Sequence, residues 1–338
     1  MTKKNIKYSK LKSKIYREAT LKECFINDCN EKAIDAHSIQ KQGALSILEK
    51  KINSNKCVYT LTETKLDENN ELNFKPIGKK NASTFFGFCN FHDTNIFNEI
   101  ENNSDLIDLS NLRHLFLLCF RAFSISYHRK NEDVNLFSTK NESTKENIKE
   151  YFKINNEGFD NYLSGSKLAV EDMNPQKDFL INCLKKEKYD SLIYYVYELK
   201  YPIKFTSTML TSPPFLFSGE EINISEDLEF DYSDIISTVL PLENRSVVVL
   251  ASFKDRPNGI KYLNELKSFN QNEKEIALTW HFLTNSENVF FDPIWIDKNI
   301  EMRKTILKLY EQSKSQQSEY LKLNLDKFDL NLFELSKK

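Results

Sequence analysis

Four residues in the first third of the chain have the types and spacing of a metal site. Cys24-x4-Cys29 and Cys89-x2-His92 form two close pairs. A structural zinc ion takes four soft or borderline ligands in a tetrahedron, and chains commonly supply them as two short pairs separated by an interval of any length. Within each pair the spacing lets both side chains reach one ion from a tight turn. Cys57 could replace one of the thiolates, and His37 could compete with His92 for the imidazole position. Cys119 and Cys183 fall on apolar helical faces and read as core residues.

The neighbouring sequence supplies elements that could hold these ligands. Asp93 follows His92, and an apolar pattern at Ile96, Phe97 and Ile100 places the second pair at the N-terminus of a helix. Between the pairs, Ala44, Leu45, Ile47, Leu48 and Ile52 predict a short amphipathic helix over 40–52. A hairpin should follow: 57–62 is β-prone, Asp67-Glu68-Asn69-Asn70 has turn chemistry, and 72–77 alternates before Gly78. A knuckle, a hairpin and then ligands on a helix's first turn is the layout of a treble-clef zinc finger.

Over residues 20–100 these features resemble the HNH, or ββα-metal, nuclease superfamily. Asp35-Ala36-His37-Ser38-Ile39 follows the first knuckle, Asn81 precedes the second, and Asp93 stands directly after the last ligand. The resemblance implies that His37 is a general base and that Asp93, with Asp35, holds a catalytic Mg²⁺ or Mn²⁺, while Asn81 takes the place of the family's middle Asn. A neutral imidazole can take a proton from water near neutral pH, and a hard divalent cation can stabilise the leaving oxygen and the charge building on a phosphate. Two departures stand out. The helix expected over 40–52 separates His37 from the hairpin, and the family's final metal-binding His is Asp93 here. A bacterial antiphage setting is a further implication of the resemblance alone.

The remaining chain is expected to be α+β. The amino-terminal treble clef is followed by a central helical region and a small C-terminal β-sheet flanked by helices. Residues 1–103 would hold a basic arm and the finger. Residues 104–338 would form an α+β domain, helical over 104–200, β-rich over 201–255 and helical again over 256–338. Ser110 is the expected N-cap of a helix reaching about His128, 130–145 reads as a polar surface loop, and 188–199 reads as a helix. The β-prone segments are 203–209, 215–217, 235–239 and, most plainly, 246–251. Asn285-Ser286-Glu287-Asn288 reads as a turn between helices, and a final helix is expected over 298–313.

Composition narrows the partners. The 338 residues, 40% of them hydrophobic, can fill two or three cores. A net charge of −2, from 47 basic and 49 acidic residues, gives no global field for nucleic acid or an anionic membrane. Any anion-binding face must be local, as in the arm of Lys3, Lys4, Lys7, Lys10, Lys12, Lys14, Arg17 and Lys22, offset by Glu18. No secretory signal is recognised and no apolar run reaches about 18 residues, because 115–125 is interrupted by Arg121. Arg121 within that helix implies a buried partner or a phosphate-facing position. With unevenly spaced cysteines, these features point to a reducing, cytoplasmic setting. Two functions follow: a metal-dependent nuclease cutting DNA or RNA, or a non-catalytic zinc finger that binds nucleic acid or, through the C-terminal region, another protein.

Overall fold

The β-branched run at Ser246 grows into a fully buried strand of a large antiparallel sheet. The computed structural model describes residues 11, 14–61, 73–101, 107–225, 227, 230–314 and 322–337. Its strands are β1 (Ile34–His37), β2 (Lys50–Ile52), β3 (Asn55–Thr60), β4 (Lys75–Ile77), β5 (Thr84–Phe88), β6 (Leu192–Leu199), β7 (Phe205–Thr211), β8 (Ile235–Pro241), β9 (Ser246–Phe253) and β10 (Val289–Phe291). The chain folds into two compact units that alternate along the sequence. Of the described residues, the first gathers those within 11–36, 85–95 and 124–186, and the second those within 37–84, 96–123 and 187–337. The architecture is α+β.

The first unit contains the pairing of β1 with β5 and a set of helices. Its hydrophobic core brings Ile15 and Ala19 onto Leu136, Phe137, Ile148 and Phe159. Helix Glu142–Phe152 starts where the Asn141 side chain accepts from the Thr144 amide, and ends at Lys153, whose φ of 55° is left-handed. Helix Asn156–Lys185 is capped by Asn155, which accepts from the Gly158 amide, and carries Pro175 in its interior. Both starts use a short polar side chain to satisfy an amide that the helix leaves open.

The second unit is built on an eight-stranded sheet of order β2-β3-β10-β7-β8-β9-β6, with β4 also paired to β3. Every residue of β8 and β9 is buried, as expected of strands covered on both faces. Helix Pro257–Ser268 packs on β9, and helix Gln271–Asn285, opened by a capping box between Asn270 and Glu273, packs on β7. Tyr262, Phe205, Phe282, Phe291 and Phe333 fill the core between them.

Several elements differ from the sequence expectations. The C-terminal sheet is not small: the hairpin β3–β4 joins it through β10, so strands expected in the finger belong to the second unit. The hairpin's turn at 67–70 lies outside the described residues, as do Lys3, Lys4, Lys7, Lys10 and Lys12 of the arm and the boundary placed after 103. The helix of 40–52 is confined to Ala44–Leu48, because Glu49 turns extended and leads into β2. Asn111, not Ser110, caps helix Leu112–Phe137, its side chain accepting from the Arg113 amide. That helix runs past His128 through much of the predicted loop. The segment 188–199 is a short 3₁₀ turn followed by β6. Residues 285–288 lead from a helix into β10 rather than into another helix. The segment 215–217 makes only one bridge, Phe215 to Glu221. The helix expected over 298–313 is present as Ile300–Lys314, but a separate helix Pro293–Lys298 precedes it and a short one, Leu332–Leu335, follows it. Among the described residues, no helix is long and apolar enough to cross a membrane.

Candidate metal centre

Cys24 and Cys29 stand at the two ends of a tight loop in the first unit. The bridge between Glu23 and Lys32 closes its base, and the Ala33 amide donates to the Lys22 carbonyl at 3.1 Å. Inside it the Cys29 amide bonds the Ile26 carbonyl at 3.3 Å, and Asp28 takes a left-handed φ of 64° to make the turn. Asp is one of the few non-glycine residues that accept this conformation readily. Cys89 and His92 sit at the opening of helix Asn90–Glu101, one turn apart, which directs both side chains to the same side. The Phe25 amide bonds the Gly87 carbonyl at 2.6 Å, tying the knuckle to β5 just before the second ligand pair.

The four ligand atoms lie within 4.8 Å of one another. Cys24 Sγ and Cys89 Sγ each lie 3.3 Å from His92 Nδ1, and Cys29 Sγ lies 3.8 Å from Cys89 Sγ. A tetrahedral zinc with sulfur at about 2.3 Å and nitrogen at about 2.0 Å separates two sulfurs by about 3.8 Å and sulfur from nitrogen by about 3.5 Å. These three spacings lie close to that geometry. Backbone amides prepare the sulfurs for negative charge: Cys89 N points to Cys24 Sγ at 3.4 Å and His92 N to Cys89 Sγ at 3.5 Å. Burial lowers the His92 pKa and so favours the neutral, ligating imidazole. Burial also pushes the Cys24 thiol up to about 11, so this pocket disfavours a bare thiolate until a cation enters. The Cys3His donor set suits zinc.

Neither proposed substitute joins the quartet. Cys57 is buried on β3 in the second unit, and His37 Nε2 lies 3.2 Å from the Lys79 carbonyl oxygen, within that same unit. Cys119 and Cys183 are buried, as expected of core residues. Arg121 pairs with a half-buried carboxylate: Nη1 lies 2.7 Å from Glu101 Oε1, and the guanidinium lies 3.9 Å from the ring centroid of the buried Phe97.

The remaining candidate residues are distributed as follows. Asp35 is exposed on β1, and Asp93 is half-buried in the first helical turn, its amide bonded to the Cys89 carbonyl at 2.9 Å; both belong to the first unit. His37, half-buried at the end of β1, and Asn81, exposed in a turn closed by the Gly78 carbonyl, belong to the second. Among the described residues, the Cys3His quartet alone gathers three or more His, Cys, Asp or Glu ligand atoms closely enough to hold an ion.

No protein-family model matches the chain. No curated protein or solved structure matches it either.

Sequence reasoning missed Lys177, which lies far from the knuckle in the chain. Its ammonium sits 5.3 Å from the Phe25 ring centroid and 5.0 Å from that of Tyr127, close enough to Cys24 for their charges to interact. A zinc held by three thiolates would carry a net negative charge, which this cation would offset. Burial between the rings lowers the Lys177 pKa, and Cys24 and Asp178 counter that fall. No local motif marks such a residue, because only the fold brings it to the knuckle.

Proposed function

We propose that this chain is an HNH-like, metal-dependent nuclease that hydrolyses phosphodiester bonds, with a zinc-stapled treble clef as its scaffold. The observation that carries the reading is the hydrogen bond between His37 Nε2 and the Lys79 carbonyl. A carbonyl can only accept, so Nε2 bears the proton and Nδ1 bears the lone pair, which is the tautomer a general base needs. The catalytic Mg²⁺ or Mn²⁺ is carried over from the resemblance, with Asp93 and Asp35 as ligand positions and Asn81 as a supporting one. Such cations take one or two carboxylates and complete their shell with water and substrate phosphate.

The test combines elemental analysis with cleavage of DNA and RNA in Mg²⁺ and in Mn²⁺. His37→Ala should retain zinc and lose about 10²- to 10⁴-fold in cleavage rate, and Asp93→Ala should lose cleavage that excess metal partly restores. Cleavage by His37→Ala at the wild-type rate would remove this reading.

A second reading, a non-catalytic binding finger, is favoured by Phe91. It is 66% exposed beside the ligand His92, and Lys14, Arg17 and Lys22 of the same unit are exposed cations. An exposed ring in a unit that also carries exposed cations suits a splayed base. In that case Phe91→Ala should weaken single-stranded nucleic-acid binding while His37→Ala leaves it unchanged. A protein partner would show neither effect.

A further inference from the structure

We infer that Asn288 is a positioning residue for His37, acting through a buried clasp of hydroxyl groups within the second unit. This deepens the nuclease reading and rests on it for the role of His37. Ser38, Ser83, Thr208 and Asn288 are 3%, 4%, 3% and 2% exposed, so each polar group must find its partner inside the protein. The Asn288 amide nitrogen donates to Ser38 Oγ at 3.0 Å and to Thr208 Oγ1 at 2.8 Å, and the Thr208 hydroxyl approaches Ser38 Oγ at 3.4 Å. With Ser38 Oγ accepting from both, its own proton goes to Ser83 Oγ, which also accepts from the Ile39 amide at 2.9 Å. The Ser38 amide donates to the Ser83 carbonyl at 2.8 Å.

The clasp therefore joins two loops to the sheet. One begins directly after His37, and the other runs from Lys79 to Ser83. These are the loops whose His37 ring and Lys79 carbonyl meet in the hydrogen bond that selects the tautomer. Ser83 stands at a left-handed φ of 61° although it is not glycine. A conformation of this kind persists where surrounding bonds over-determine it, and Ser83 has such bonds through both its carbonyl and its hydroxyl. Asn288, on the segment leading into β10, anchors the assembly to the sheet interior. The C-terminal part of the chain thus sets the orientation of an amino-terminal histidine.

The test labels histidine with ¹⁵N and reads the His37 ring tautomer in the full chain by NMR, beside cleavage kinetics. Asn288→Ala should convert a single Nε2-protonated form into a tautomer mixture. It should also lower kcat about tenfold or more with KM within about twofold. Thr208→Val, which keeps the volume and removes the hydroxyl, should act in the same direction if Asn288→Ala folds poorly. Thr279→Val is the control: it removes a buried hydroxyl that accepts from the Leu332 amide at 3.0 Å, with no bond to Ser38, Ser83, Thr208 or Asn288, and should leave the His37 ring unchanged. An unaltered tautomer in both Asn288→Ala and Thr208→Val, or an equal change in Thr279→Val, would overturn the inference. A wild-type chain that cuts nothing would instead count against the nuclease reading, and the tautomer comparison would still decide the clasp.

Discussion

At the scale of single residues, the metal quartet makes the sharpest predictions. Cys89→Ser removes the most deeply buried ligand and should abolish stoichiometric zinc binding, measured by elemental analysis. Retention of a full equivalent would mean that another residue completes the site. Because burial keeps the Cys24 thiol protonated without a cation, zinc uptake must release at least that proton. Calorimetry in buffers of different ionisation heat should show this release and an affinity that rises with pH. His281 gives a separate pH signal. It is fully enclosed, with Ser237 Oγ 2.8 Å from Nε2 and Tyr262 Oη 2.8 Å from Nδ1, and burial lowers its pKa from 6.5 to about 3. Between those values the unfolded chain binds a proton that the folded one does not. The stability contribution is therefore complete above about pH 6.5 and is lost toward about pH 3, with a slope of up to about 1.4 kcal/mol per pH unit. Denaturant titrations at about pH 7 and about pH 5 should show this slope in wild type and a shallower one in His281→Gln. Equal slopes would assign the effect elsewhere. Gly87 is a packing position: a methyl there would lie 1.9 Å from the Phe85 ring. Gly87→Ala should cost about 1–3 kcal/mol by overpacking.

At the scale of elements, Pro175 inside helix Asn156–Lys185 denies that helix one backbone hydrogen bond and crowds the preceding turn. Pro175→Ala should therefore raise stability by about 2 kcal/mol, read as a higher Tm; a lower Tm would show that the chain depends on the proline. Elements differ in how much of them the sequence reveals, and the differences have physical causes. The zinc ligands are legible because each pair is local and its residue types are uncommon. β9 is legible because an unbroken β-branched run suits a strand buried on both faces. β6 was misleading: Leu192, Tyr195 and Leu199 are its buried positions, and intervals of three and four imitate a helical stripe. Its tyrosines and β-branched residues were the better signal. Helix Leu112–Phe137 outran its predicted end because Leu136 and Phe137 reach a core with Ile15 and Phe159, a contact no local window contains. The same holds for the clasp, whose Ser38, Ser83, Thr208 and Asn288 come from four separate stretches of chain.

At the scale of the whole molecule, the two units alternate along the chain, and the Cys3His quartet belongs to the first. Chelation should therefore raise amide exchange in 24–36 and 85–95, while β8 and β9, buried along their whole length, keep their protection. Hydrogen exchange with and without a chelator would show this, and a uniform loss would mean that the metal holds both units. The alternation also has a consequence for biosynthesis. Tyr59 and Thr60 pair with Phe291 and Phe290, which a ribosome adds about 230 residues later, or roughly 10–50 seconds at about 5–20 residues per second. Throughout that interval one flank of the nascent β3 ribbon has no native neighbour, so it is where a growing polypeptide would adhere to another copy or call upon a chaperone.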